Sequence, residues 1–171
     1  MIENVKDIQV EETRAQIACM LNELWHSRLP KIHWSNVVRP GRYACYVIKY
    51  KQGIVGVGIW SRAVAGNRFK NEHEILELRR LALSDVCPKN TATFVIAKMI
   101  KKIKQKFPQV KRLISYQDTA VHNGTIYKAS NWIKAVDVPL INWDNKWRKR
   151  NKLQSTAKKI RWEYSICKND N

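Results

Sequence analysis

Side chains able to move a proton or hold a ligand are concentrated in one stretch. It runs Ser115-Tyr116-Gln117-Asp118 and then His122-Asn123-Gly124-Thr125-Ile126-Tyr127-Lys128-Ala129-Ser130-Asn131-Trp132. It reads as the end of a buried strand, a polar turn, and a short helix that projects Tyr127 and closes on Trp132. Side chains two apart on a strand share a face, so Tyr116 and Asp118 point one way and Ser115 and Gln117 the other. An aspartate and a tyrosine this close can act as base and acid. A second cluster, Trp25, His26 and Arg28 followed by His33 and Trp34, surrounds Pro30. A histidine at a helix C-terminus often serves only as a cap, but this combination before a loop marks a substrate-facing edge. His26 with Asp118 is a sparse ligand set for iron or zinc.

These residues need a scaffold, and the rest of the chain supplies one. Residues 5–10 are expected to be a short strand. From Glu11 to Arg28 the apolar positions Ile17, Met20, Leu21, Leu24 and Trp25 recur at helical spacing, and Pro30 stops that helix. Residues 42–50 and 54–64 flank Lys51-Gln52-Gly53 and predict a hairpin; Gly56 and Gly58 imply a close approach to its backbone. The loop from Ala65 to Asn71 is polar and basic, with Arg68 able to face a ligand. Residues 74–83 form a long strand that runs into a turn rich in capping residues, 84–91. The helix over 91–106 places Val95, Ile96, Met99, Ile100 and Ile103 on one stripe, which is core. Its N-terminus, with free amides, the positive dipole end and Lys89, is a candidate phosphate cradle directly after a strand. Strands over 110–116, 133–141 (broken by Pro139) and 160–166 complete a mixed α/β sheet flanked by helices, with a basic, tryptophan-bearing excursion over 143–154. At 171 residues the chain has room for one such domain.

Composition narrows the function classes. A hydrophobic content of 44% excludes a disordered chain, and no apolar run reaches the roughly 18 to 20 residues that span a bilayer. The N-terminus opens on acids, so no signal peptide is expected. Four cysteines without CxxC spacing imply neither a zinc site nor a disulfide framework, and a cytoplasmic setting is expected. The net charge is +18, and it is unevenly placed. Residues 1–30 carry three basic and five acidic side chains, a balance of −2 that leaves +20 on the remainder. Such a field suits a polyanion. Lys146, Trp147, Arg148, Lys149 and Arg150, with tryptophan among the cations, tilt the reading toward nucleic acid.

The element order, with its strand, phosphate cradle and helix followed by a tyrosine helix, resembles the GCN5-related N-acetyltransferase (GNAT) fold. That family's tyrosine helix follows the pattern NxxAxxLYxxxGF. Ile126, Tyr127 and Trp132 answer to its Leu, Tyr and closing aromatic, Asn123 is matched to its Asn, and Asn131 replaces its Gly. The resemblance implies acetyl-CoA as cofactor, held by Leu81, Leu83, Asp85, Lys89, Asn90, Thr91, Ser115 and Asn123, with Tyr127 as the acid that protonates the leaving thiolate. The family's R/QxxGxG/A loop is absent, since 85–91 contains no glycine.

A closer resemblance is to the Mom family of phage DNA-modification proteins, a divergent GNAT branch. It is carried by Trp25-His26-Ser27-Arg28-Leu29-Pro30, Leu78-Arg79-Arg80-Leu81-Ala82-Leu83, the turn 85–91, and above all Ser115-Tyr116-Gln117-Asp118 with His122 to Tyr127. It implies conversion of adenine in double-stranded DNA to N6-carbamoylmethyl (acetamido) adenine in the host cytoplasm, which protects phage DNA from restriction. The protein would act as a monomer or homodimer, with iron as an uncertain addition. An adenine in a duplex must be extruded to be modified, and its amine is a poor nucleophile that needs a positioned base. Asp118 is the candidate base, with Tyr116 beside it, His26 as a second base, and Ser115 turned to the coenzyme arm. DNA contacts are expected from Arg28, His33, Trp34, Arg68 and 146–150. The alternatives are an N-acetyltransferase for a protein, polyamine or RNA amine, and a non-catalytic nucleic-acid-binding domain.

Overall fold

The computed structural model describes residues 4–25, 31–39, 41–64, 69–138 and 158–166. A short 3-10 turn, Val5–Asp7, leads into β1 (Ile8–Glu12). Then follow α1 (Ala15–Trp25), α2 (Ser35–Val38), β2 (Tyr43–Tyr50), β3 (Gly53–Ser61) and β4 (Ile75–Leu83). The second half comprises α3 (Thr91–Lys106), β5 (Arg112–Asp118), α4 (Thr125–Ala129), β6 (Ile133–Val138) and β7 (Lys159–Ser165). The strands form one seven-stranded sheet in the order β1-β2-β3-β4-β5-β7-β6. Only β4 and β5 pair in parallel, as expected for two strands joined by a helical crossover. Among the described residues no helix is long and apolar enough to cross a membrane.

The two sheet faces are covered differently. On one face the predicted stripe of α3 is fully buried, and Val95, Ile96, Met99 and Ile103 pack with Tyr46, Trp60, Leu76 and Leu113. A Cβ on Gly58 would collide with the Met99 sulfur, so this glycine is what lets α3 seat so closely. On the other face α1 and α2 cover β2, β3 and β4. Here the expectation needs correcting. Helix α1 turns Ala15, Ala18, Cys19, Leu21 and Asn22 to the sheet, while Ile17, Met20 and Leu24 are exposed. Small side chains allow the helix axis to approach the strands, and that gain outweighs the burial of the larger ones on the far side. Helix α2 was not expected from the sequence. The strand expected over 133–141 is described to Val138, and Pro139 and the excursion 143–154 lie outside the described residues.

The feature that makes a site is the parting of β4 and β5. Their ladder runs from Ile75↔Arg112 to Leu78↔Ser115 and stops. Beyond it β4 follows β3 as far as Leu83↔Gly56, and β5 follows β7 as far as Asp118↔Lys159. A bulge lies at the parting point: Ile59 pairs with Arg80 and Trp60 with Leu78, so Arg79 has no cross-strand partner. The extra residue sharpens the local twist of β4 and turns its end away from β5.

Candidate active site

The cleft between the parted strands is lined on the α3/α4 side by Ser115 and Tyr127. The Ser115 hydroxyl donates to the carbonyl of Leu78, across the last rung of the ladder, at 3.1 Å. Its single proton is thereby committed, so at 2.9 Å it accepts the hydroxyl of Tyr127. The Tyr127 ring stacks on Trp162, with centroids 5.4 Å apart and planes 13° from parallel, and meets Trp132 edge-on at 5.6 Å. Burial pushes the Tyr127 phenol upward, against a smaller opposing pull from Ser115. It is therefore a neutral, proton-bearing group at physiological pH.

The turn that presents Tyr127 is fixed by Gln117. The side-chain carbonyl of Gln117 accepts Trp162 Nε1–H at 2.8 Å, and its amide donates to the carbonyl of His122. Gly124, with φ of +77°, enters α4 in the left-handed region. A Cβ there would lie 2.6 Å from Gln117 Oε1 and 2.7 Å from Trp162 Cζ2. At the far end of α4, Asn131 holds φ of +60°. It takes the left-handed conformation at the position where the GNAT pattern has glycine, a conformation that asparagine tolerates better than most residues. The match of Asn123 does not hold. Counted back from Tyr127, the pattern's Asn falls on Ala120, and Asn123 instead accepts from the Thr125 amide and hydroxyl at the start of α4.

On the opposite, α1/α2 side lie Tyr116 and Asp118, and the alternation expected from the sequence is observed. Tyr116 packs with Phe69, Ala63, Ile75 and Ile114. Asp118 uses Oδ1 to accept the amide of Ala120 at 3.0 Å, so it closes the turn after β5. Sequence reasoning missed Glu77. It stands on β4 beside Ile114, is only 7% exposed, and accepts the Val64 amide at 2.9 Å. Burial raises its carboxyl, against the pull of Arg79, Arg80 and Lys159. The available signal was an acid flanked by Leu76 and Leu78 on a strand. Asn22 was missed too: it is buried on α1, and its Oδ1 has no hydrogen-bond partner among the described residues.

At the start of α3, Thr91 is buried and bonds the carbonyl of Pro88, while Asn90 takes φ of +69°. The amides of Ala92 and Thr93 have no hydrogen-bond partner among the described residues. Asp85, Lys89 and Asn90 are exposed around this helix end, and Leu81 and Leu83 lie half-buried on the same face of β4. His33 is exposed and shares a hydrogen bond with the Ser35 hydroxyl at 2.7 Å, and Trp34 beside it is 40% exposed. His26, Arg28, Arg68, Lys146, Trp147, Arg148, Lys149 and Arg150 lie outside the described residues. Among the described residues no three His, Cys, Asp or Glu side chains gather as a metal site, and His26, one of the two expected ligands, lies outside them.

Comparison of the fold shows GNAT architecture. A GNAT family acetyltransferase from Elizabethkingia anophelis with acetyl-CoA bound superimposes with a TM-score of 0.67. It is 15% identical, over 94% of this chain and 99% of that one. A putative acetyltransferase from Salmonella typhimurium with its cofactor acetyl-CoA gives 0.66 at 8% identity, over 96% and 97%. A spermidine N-acetyltransferase mutant from Vibrio cholerae gives 0.66 at 8% identity, over 94% of each chain. No curated protein matches the chain in sequence. A family model does, over residues 8–167, and its description is the Mom protein family.

Proposed function

The chain belongs to the Mom protein family, and from that premise we propose that it modifies adenine in double-stranded DNA to N6-carbamoylmethyl adenine, using an acyl-CoA thioester in the cytoplasm of a phage-infected bacterium. The observation that carries this reading is the division of the cleft into two sides. Beside the parting point one face of the sheet carries a buried neutral phenol, Tyr127, and the opposite face carries two carboxylates, Glu77 within the ladder and Asp118 at the end of β5.

The coenzyme side fits an acyl-CoA. The β4 edge beyond Leu78, with Leu81 and Leu83, faces the cleft without a ladder partner on β5. The unpartnered amides of Ala92 and Thr93, at the positive end of α3, suit a pyrophosphate, with Lys89 and Asn90 beside them. Bound there, the thioester would supply an activated acyl carbon. Ser115 holds the Tyr127 proton beside the parting point, ready for the departing sulfur. On the acceptor side, Glu77 or Asp118 takes the proton of the amine as it attacks the acyl carbon and the coenzyme leaves as its thiol; this step joins N6 to the acyl carbon, and the amide nitrogen and N–CH2 bond of the carbamoylmethyl product require a nitrogen donor and a further step beyond it. A carboxylate whose affinity for protons is raised by burial is the stronger base of the two. Tyr116 flanks the extruded base.

The direct experiment is digestion of DNA from cells expressing the protein, followed by mass spectrometry of the nucleosides. A modified deoxyadenosine is expected. Unmodified adenine together with acetylated protein or polyamine would replace this reading with simple N-acetyl transfer.

A further inference from the structure

Arg79 and Arg80 have no part in the chemistry described, yet they stand at its edge. The bulge removes Arg79 from the strict alternation of β4, and both guanidinium groups reach the α1/α2 face. Arg79 Nη1 donates to the carbonyl of Asn36, on α2, at 3.1 Å. Both groups lie near enough to the buried thiol of Cys19 on α1, and to Glu77, to stabilise the negative form of each. Burial lowers the pKa of each arginine, and Arg79 lowers that of its neighbour further. Holding two like charges half-buried side by side is costly. Glu77 opposes Arg79 only in part: one of its oxygens is taken by Val64, and its ionisation is itself disfavoured by burial. Among the described residues Arg79 forms no ion pair within 4.0 Å.

Arg79, partly desolvated and held by a carbonyl instead of a carboxylate, calls for an anion, and its guanidinium fork matches phosphate oxygens. The phosphates of the coenzyme are not that anion, because their cradle at α3 is on the other face of the sheet. An aromatic accompanies the cations. The carbonyl of Asn36 ties Arg79 to α2, two residues from the exposed Trp34, whose ring lies 5.4 Å from that of His33.

We propose that Arg79 forms a phosphodiester-binding site that grips the DNA backbone beside the extruded adenine, with Trp34 against a flanking base. This rests on the adenine-modification reading. The test measures binding of the full-length protein to a mixed-sequence 30-base-pair duplex across a range of NaCl concentrations, for wild type, Arg79→Gln, Arg79→Lys and Lys102→Gln, alongside the yield of modified deoxyadenosine. Each lost phosphate contact makes the slope of log K against log salt shallower by about 0.9. Arg79→Gln should show that change and a loss of affinity of about tenfold at fixed salt. Arg79→Lys should keep the slope, and Lys102→Gln, on the coenzyme face, should behave as wild type. A wild-type slope in a folded Arg79→Gln that still modifies DNA overturns the phosphate site and leaves the adenine reading standing. An equal flattening in Lys102→Gln overturns the assignment to this face. A wild type that modifies no adenine overturns both.

Discussion

Tyr127 and Glu77 are both buried beside the parting of β4 and β5, and burial raises the pKa of each. The consequences are opposite: a tyrosine becomes a more secure proton holder, a glutamate a better proton acceptor. Tyr127→Phe keeps the ring stacked on Trp162 and removes only the hydroxyl. Turnover should fall about 100-fold or more while DNA affinity is unchanged, as a gel-shift titration beside the nucleoside assay would show. Glu77→Gln should lower turnover by a similar factor. Its stability effect has a definite sign. The folded-state carboxyl titrates above its unfolded value of roughly 4.3, so the wild type loses stability as pH rises from the unfolded value to the folded one. Glutamine has no such loss and can still accept from Val64. The melting temperature of Glu77→Gln should gain on that of wild type between pH 4 and 7; a constant difference across that range would contradict the buried, strained carboxylate. The local sequence marks this residue only as an acid between leucines, because its burial depends on where the chain after β3 places the Val64 amide.

At the level of elements, what the sequence revealed depended on whether periodicity alone sets the outcome. Helix α3 and the strands β2 to β5 were legible because their apolar patterns match the faces they bury. Helix α1 was legible as a helix but not in its orientation, since close packing selected its small side chains over its large ones. The bulge at Arg79 was invisible, because register is a relation between two strands. The turn into α4 was partly legible: the tyrosine helix was found, but its lock through Gln117, Gly124 and Trp162 requires β7, which lies more than 30 residues on. That lock makes a prediction of its own. Gly124→Ala meets both a left-handed backbone and two side chains, and should cost about 1–3 kcal/mol in a denaturant titration. Because the same turn aims Tyr127, turnover should fall with it.

For the molecule as a whole, the net charge of +18 is carried by basic side chains without a nearby acid, because acids near the N-terminus are matched one to one with lysines. Glu11 pairs with Lys49, Glu12 with Lys106, and Glu23 with Lys31. These exposed pairs contribute little to stability, but they leave the remaining lysines and arginines to set the external field. Duplex binding should therefore weaken steeply with salt, and a flat response would remove the case for a phosphate-tracking surface. The Tyr127 ring also belongs to a column of aromatics: Trp60 lies 6.4 Å from Trp132, which touches Tyr127, which stacks on Trp162. Light absorbed at Tyr127 is passed to tryptophans in contact with it, and their emission senses the polarity of the cleft. The protein thus carries a built-in optical reporter. Titration with coenzyme A should change its intrinsic fluorescence, giving an occupancy signal that needs neither a label nor turnover.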